Sequence, residues 1–531
     1  MTKAVEMARV SAKGGFNVLW GLVVSTVISA IGTIIIARLL GPDNYGLYAI
    51  ALTAPSLIST FRDWGINTAM VKYSAQYNSE NNAAKIRSIF VSGVLFEVIL
   101  GLSLSILCFV LSPFLAMTFN RPAIAPLIQI ASFFILAGAL VNAATAAFTG
   151  MEKMHLYSFT LIIQSIVKTV LIVALVVLGL GTFGAVTGFA VGSLFAGLTG
   201  VLLIWTMYKS LPKPTKGKLE IMATIKTMFK YGLPLSIGTI LTGFLTQFYS
   251  YILAIYVLNN AIIGNYNVAL NFVVLITFFS VPVTTMMFPA FSKLDSRRDK
   301  ELLKNVFQYS VKYAALVVVP VTAMVIALAQ PAIVTIFGDK YVQAPLFLAL
   351  LSVNYLYSAF GSLSAGNLIT GQGYTTFSLK LAILTAVIGF PLSLVLISHF
   401  GVIGLIVATL ADGLPSVFIS LRFIKKHFGA SVDWVFSAKI LFSSAIAAIL
   451  TYAFISKLAF SSPIQLVIGV IVFLVVFIVA ALVTRTVNRA DMSNLREIIN
   501  ALGPLRKPLR FLLNLIEKLM KIQSKTKKSR K

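Results

Sequence analysis

The sequence predicts an all-α polytopic membrane protein of about fourteen transmembrane helices, two six-helix repeats and then a terminal helix pair. Three observations predict it: an apolar composition, fourteen apolar runs of spanning length, and ordered matches between two stretches 218–221 residues apart. Of 531 residues, 58% are hydrophobic and 11% charged, and the mean hydropathy is +0.93. Soluble domains carry about 25% charged residues. A soluble chain this apolar would expose large hydrophobic patches and aggregate, whereas hydrocarbon as solvent requires such a composition.

A spanning helix needs about 20 predominantly apolar residues. The runs that qualify are 15–37, 45–68, 88–112, 124–148, 157–179, 184–207, 232–257, 266–290, 311–330, 345–369, 379–398, 402–421, 439–457 and 463–484. Lys3, Arg9 and Lys13 precede the first run in the manner of a signal peptide. That run exceeds 20 residues, whereas the apolar core of a signal peptide has roughly 7–15. It is read as a retained first helix behind a short N-terminus, residues 1–14.

Orientation follows from the distribution of Lys and Arg. With the N-terminus in the cytoplasm, the links after even-numbered helices, the helix ends that flank them and both termini hold all 43 Lys and Arg residues but six. Arg38, Arg121, Lys340 and Lys457 fall on the opposite side, and Arg62 and Lys168 fall within helices. Both termini are therefore expected in the cytoplasm, in a cell-membrane protein.

The repeat appears in 41–57, GPDNYGLYAIALTAPSL, set against 259–275, NNAIIGNYNVALNFVVL. Gly46, Tyr48, Ala51 and Leu52 recur as Gly264, Tyr266, Ala269 and Leu270. Thr149-Gly150 recurs as Thr370-Gly371, and Gly181 and Gly184 recur as Gly401 and Gly404. The expected organisation is an N-lobe, 15–207, a basic cytoplasmic linker, 208–231, a C-lobe, 232–421, a helix pair, 439–484, and a cytoplasmic tail, 485–531. Copies of an even number of helices enter from the same side. Their axis should run along the membrane normal, with a substrate site between them near the midplane. In the tail, Leu495, Ile498, Ile499 and Leu502 share one helical face, and KIQSKTKKSRK ends the chain. This amphipathic and polybasic pattern suits an anionic leaflet.

The net charge of +27 sits in short loops and the tail, not on an aromatic-interleaved face, which argues against nucleic acid. Cys108 is the single cysteine, and His155, His399 and His427 are scattered, so neither a disulfide framework nor a metal site is expected. No nucleotide-binding glycine loop, zinc-protease signature or nucleophile elbow occurs. No cofactor is implied, and an enzyme is not expected.

Charge within a membrane is costly and marks candidate sites. Glu97 and Lys168 lie roughly 15 Å into helices 3 and 5, and Asp412 roughly 15 Å into helix 12. Two readings stand for Glu97 and Lys168: a structural ion pair, or a Lys168 that meets phosphate in a central cavity while Glu97 tunes it. Arg62 and Asp63 are deep along helix 2 near its cytoplasmic end, where a snorkelling boundary pair is the alternative to a site. Helix 6 carries Gly184, Gly188, Gly192, Ala196 and Gly200 at four-residue spacing, which permits close packing. Asp412 stands where the first copy has Gly192, either as a proton or cation site or as a hydrogen-bonded structural residue. Arg38 ends helix 1 before the turn Gly41–Gly46, either pairing with Asp43 or contacting a ligand at an outer gate.

With fourteen helices, ARLLGPDNYGLYAIAL at the helix 1–2 turn and TGMEKMHLY after helix 4, residues 10–485 resemble the polysaccharide-transporter branch of the multidrug/oligosaccharidyl-lipid/polysaccharide (MOP) flippase superfamily. The resemblance implies V-shaped lobes around a central cavity, working by alternating access. It implies a polyprenyl- or dolichyl-linked saccharide with a phosphate or pyrophosphate head as substrate, moved to the outer leaflet for cell-surface polysaccharide or glycoprotein assembly. Glycosyltransferases or a polymerase of the same pathway would be partners, beside anionic membrane lipids. Lipid II flippases of the superfamily use cavity arginines, for which Arg38 and Arg62 are the nearest candidates here; helix 8, cationic there, is uncharged here. Related drug antiporters, the alternative reading, place acidic cation sites in the first helices. Helix 1 here has no acid, and Glu97 or Asp412 would have to substitute.

Overall fold

A computed structural model describes residues 3–212, 220–295, 298–486 and 496. The expected amphipathic, polybasic tail lies outside the described residues from 487 onward, Arg496 excepted, as do 213–219 of the basic linker and residues 1–2. Among the described residues every regular element is helical. Ten helices among these residues are long and apolar enough to cross a membrane, or eleven if the pair Ala344–Phe360 and Ser362–Gly371, bent by 55°, is one span. Side chains such as Val177, Leu178, Ile449 and Val483 are exposed, as lipid-facing residues must be. The chain is a multi-pass membrane protein.

The helix count falls below fourteen because three pairs of expected spans run on as single helices. α1 (Lys3–Ser59) has 57 residues and breaks at Gly41. α5 (Met154–Leu175) and α6 (Gly181–Ser210) join through 176–180, with Gly179 at φ 89°. Farther along, Thr375–Phe428 has 54 residues and leaves helical geometry at Gly401. A 54-residue helix would measure about 80 Å, against about 30 Å of hydrocarbon, so the break is where such a helix can turn. Glycine tolerates these left-handed backbones. The second expected span also ends early, at Ser59 rather than 68. There the Asp63 side chain accepts from the Gly65 amide at 2.8 Å, and Gly65 has φ 83°. This side-chain turn competes with the helix, which resumes as α2 (Ile66–Ser79).

The chain forms two compact units. The first comprises residues to Asn271, Ile336–Phe347 and Leu379–Gly413. It holds α1 and α2, α3 (Ala83–Thr118), α4 (Ala125–Gly150), α5, α6 and α7 (Ile221–Tyr256). It also takes the first part of α8 (Asn260–Ser292). Its core runs through Met70, Phe90, Ala143, Ala147, Phe148 and Met228. Small residues set the spacing: a Cβ on Gly188 or Gly192 would strike the backbone of Ile172 or Lys168, so α6 packs directly on α5. The second unit comprises Phe272–Thr335, Leu348–Ser378 and Leu414 onward. It is built around α9 (Lys300–Ala327), which packs on α14 (Trp434–Ile455) and α15 (Ser462–Val483) through Val319, Ile440, Ala447 and Phe473. Between these elements the chain forms α10 (Ala329–Phe337), α11 (Ala344–Leu356), α12 (Ser362–Gly371) and α13 (Thr375–Phe428).

Local geometry recurs at the sequence offset. Gly181 and Gly401 share one unusual backbone, φ 50°, ψ −133° and φ 55°, ψ −128°. α4 and α12 end in the same way. Lys153 donates to Phe148 O and Glu152 to Thr149 O, just as Tyr374 donates to Ile369 O and Gly373 to Thr370 O. Both are helix ends closed by a left-handed residue. Within the first unit, a Cβ on Gly46 would strike the Asn260 carbonyl, and one on Gly264 the Pro42 carbonyl. Since 260 and 264 are 42 and 46 displaced by one offset, the contact is reciprocal between equivalent segments, as a two-fold axis would make it.

Candidate functional site

The first unit encloses a cavity of about 450 Å³, within the range of ligand pockets. α1 contributes Ser29, Thr33, Thr53 and Ser56, α5 Lys168 and Thr169, α7 Thr246, Gln247 and Ser250, and α8 Asn267 and Asn271. Tyr45 and Tyr48 stack at 5.9 Å between centroids, and Tyr48 meets Phe189 edge-on at 6.2 Å. Asn271 Nδ2 donates to the Tyr45 hydroxyl at 3.2 Å, which fixes that ring in the wall. Lys168 Nζ lies 5.4 Å from the Phe189 centroid, a cation over an aromatic face. Gly192 has no side chain to displace this lysine. Among the described residues Lys168 is the cavity's single cation, and no carboxylate lines it. Hydroxyls, amides and aromatic rings suit sugar, and an ammonium suits phosphate.

The other sequence candidates sit elsewhere. Glu97 is fully buried on α3 and meets Arg62, with Nε to Oε2 at 3.8 Å, not Lys168. Sequence depth had placed Glu97 and Lys168 level with each other, but level residues on helices 3 and 5 need not face. Asn67 Nδ2 donates to Glu97 Oε1 at 2.8 Å, and Arg62 Nη1 to Ile135 O at 3.4 Å. Asp63 shapes the turn before α2. Asp412 is 5% exposed and accepts a hydrogen bond from the Tyr249 hydroxyl. Arg38 is exposed and donates to Ile336 O at 2.7 Å. Of the six candidates, only Lys168 lines the cavity.

The Arg62–Glu97 pair yields a stability prediction. Removing one partner of a buried ion pair leaves an uncompensated charge at a cost of about 3–5 kcal/mol, whereas apolar replacement of both is far milder. Glu97→Ala should therefore lower the unfolding temperature in detergent more than the double change Arg62→Leu/Glu97→Leu. Equal losses would mean the charges do not interact.

Two contacts bound the cavity's helices. Arg121 donates to Asn260 Oδ1 and to the carbonyls of Phe119, Ala254, Val257 and Leu258, all at 2.7–2.8 Å. It thus joins the α3–α4 turn to the α7–α8 turn. Burial lowers its pKa from the ordinary value, and Asp43 acts in the opposite sense. At α2 and α7, Gly65 and Gly232 pack so closely that a Cβ on either would strike the other's carbonyl.

Sequence reasoning passed over the neutral lining. Asn267 and Asn271, four apart in an apolar run, were the available signal, since their spacing puts both on one helical face.

The fold and cavity define a polytopic α-helical membrane protein with a polar internal cavity. The family model described as polysaccharide biosynthesis protein matches residues 35–346, and the chain belongs to that family, in the polysaccharide-transporter branch of the MOP superfamily. Among curated relatives, the probable low-salt glycan biosynthesis flippase Agl15 of Haloferax volcanii is 21% identical over 58% of this chain and 64% of its own. The lipopolysaccharide biosynthesis protein WzxC of Escherichia coli is 21% identical over 70% and 73%. A lipid II flippase MurJ structure in an inward closed conformation superposes with a TM-score of 0.69 at 17% identity, covering 87% of this chain and 98% of that one. An inward-facing multidrug transporter of the MATE family gives 0.61 at 14%, covering 78% and 98%. These likenesses show a shared fold.

Proposed function

We propose that the protein flips a polyprenyl- or dolichyl-linked oligosaccharide, carried on phosphate or pyrophosphate, from the cytoplasmic to the outer leaflet. The observation that carries this reading is the cavity's lining, which among the described residues is many neutral hydrogen-bonding groups and rings around one lysine, with no carboxylate. A cationic drug would find no counter-charge there, whereas an anionic sugar head finds both its partners. The names of the relatives, in glycan and lipopolysaccharide biosynthesis, support the same reading.

The product serves cell-surface polysaccharide or glycoprotein assembly, beside glycosyltransferases or a polymerase of that pathway. Two six-helix lobes, 15–207 and 232–421, alternate access around the cavity. The reciprocal Gly46–Gly264 geometry supports this repeat, and dividing each of the three long helices at its glycine raises eleven spans to fourteen. Both termini face the cytoplasm of the plasma membrane, as the loop charges favour. The protein acts as a transporter rather than an enzyme. Lys168 meets the phosphate, Arg62 would do so only after parting from Glu97, and Arg38 stands at the outer end.

The test uses proteoliposomes holding a fluorescent polyprenyl-pyrophosphate saccharide, with valinomycin setting the potential at fixed pH. Moving two negative charges outward through an inside-negative 100 mV field is favoured by about 4–5 kcal/mol. Flipping should therefore accelerate with potential, by less than this full amount because Lys168 moves partly with its cargo. No flipping at any potential, together with proton-driven uptake of an organic cation that Asp412→Asn abolishes, would establish the antiporter instead.

A further inference from the structure

A second cavity lies in the same unit, and it shares no residue with the Lys168 cavity. It measures about 440 Å³ and is walled by α2, α4, α5 and α7. Asn67, Asn142, Thr145 and Thr149 supply amides and hydroxyls, and Tyr157 and Tyr231 supply rings. Its cation is Lys72, exposed, with Nζ 3.7 Å from the Tyr231 centroid. Tyr231 is also the wall of a third cavity of about 570 Å³, which carries Lys226 and Lys230. Two spaces therefore adjoin through one ring, the first mostly neutral and hydrogen-bonding, the second doubly cationic.

One group in this arrangement lacks a hydrogen-bond partner. Asn67 is 9% exposed, and its Nδ2 is committed to Glu97. Its Oδ1 is buried without a hydrogen-bond partner, although the residue lines the second cavity. A buried acceptor left unpaired costs about 1–3 kcal/mol, and a turn of the amide toward the cavity would let a ligand hydroxyl satisfy it.

We infer that these adjoining cavities form a docking site for a phosphorylated saccharide, distinct from the Lys168 cavity and rimmed by the start of α7, on the side that loop charge assigns to the cytoplasm. Sugar hydroxyls bond Asn67, Asn142 and Thr145, a sugar face stacks on Tyr231, and the phosphate is held by Lys72, Lys226 and Lys230. Lys72 changes partner on binding: its ammonium leaves the ring face and takes the phosphate, which frees the ring for sugar. Through Asn67 the docked head group touches Glu97, and so the Arg62–Glu97 pair. The inference rests on the flippase reading for its ligand and adds where that head group is first held.

The experiment exploits the single cysteine, Cys108, which is buried. The full chain bearing Thr149→Cys, and separately Thr68→Cys should the first fail to fold, is reconstituted in phosphatidylcholine nanodiscs and labelled with a polar maleimide. The probes are farnesyl pyrophosphates bearing glucose, mannose or N-acetylglucosamine, and phosphatidylglycerol as a lipid phosphate without that sugar. At least one saccharide probe should slow labelling about tenfold or more, and phosphatidylglycerol should not. Lys72→Glu should remove the protection, Lys72→Arg should retain most of it, and Lys168→Ala should leave it in place. If wild type flips a saccharide probe that gives no protection, the docking site is overturned and the flippase reading survives. Equal protection by phosphatidylglycerol would show a general lipid-phosphate surface and also overturn it. A chain that neither binds nor flips any of the three sugars loses both readings.

Discussion

Lys168→Ala should cripple translocation, by about one to two orders of magnitude, while leaving the protein folded. A hydrogen bond to a charged group contributes about 1.5–3 kcal/mol, so losing the one cavity cation should slow flipping roughly 10- to 100-fold. The protein should stay folded because Glu97 is paired with Arg62, so deleting Lys168 strands no buried carboxylate. Lys168→Arg keeps the charge on a longer, planar head and should retain part of the activity. The assay is flipping in proteoliposomes beside the unfolding temperature of each variant in detergent. Lys168→Ala that flips at the wild-type rate would remove Lys168 from the head-group site. A collapse of expression rescued by Glu97→Ala would instead mean that the lysine is structural.

The contrast between Lys168 and Glu97 shows how far a sequence of this kind can be read. Composition and loop charge fix that the chain crosses the membrane repeatedly, since hydrocarbon tolerates only helices that satisfy their own backbone. Glycines at repeat spacing were legible too, and Gly181 and Gly401 share one backbone where a long apolar stretch leaves helical geometry. Helix ends were less legible. The stop at Ser59 depends on the Asp63 side chain binding the Gly65 amide, a local competition that hydropathy does not see. Partner choice was least legible. Depth along a helix is a one-dimensional quantity, whereas pairing depends on which face each helix presents. Arg62 therefore reached Glu97 while Lys168 faced the cavity. Neutral lining residues such as Tyr45 and Gln247 carry no cost in lipid large enough to stand out in sequence.

Alternating access predicts that the contacts at the two ends of the cavity's helices matter in opposite ways. Arg121 makes five hydrogen bonds, four of them to the α7–α8 turn and the helix ends beside it, at the end that loop charge assigns to the outside. These bonds must break when the cavity opens outward. Gly65 and Gly232 touch backbone to backbone, toward the basic linker and the cytoplasm, and must part when it opens inward. Gly232→Leu inserts a side chain where even a Cβ has no room, so inner closure is blocked and flipping is lost. The cavity should then be held open to the cytoplasm. Arg121→Ala removes the outer latch and shifts the population the other way. Each lost bond is worth about 1 kcal/mol or more, enough to move a two-state balance tenfold or beyond. A cysteine introduced by Thr246→Cys in the cavity wall reads both states. With Gly232→Leu its labelling by an impermeant maleimide should rise from the cytoplasmic side, and with Arg121→Ala from the outer side. A rise from the same side in both variants would show that these contacts do not close opposite ends, and the alternating scheme built on them would fail.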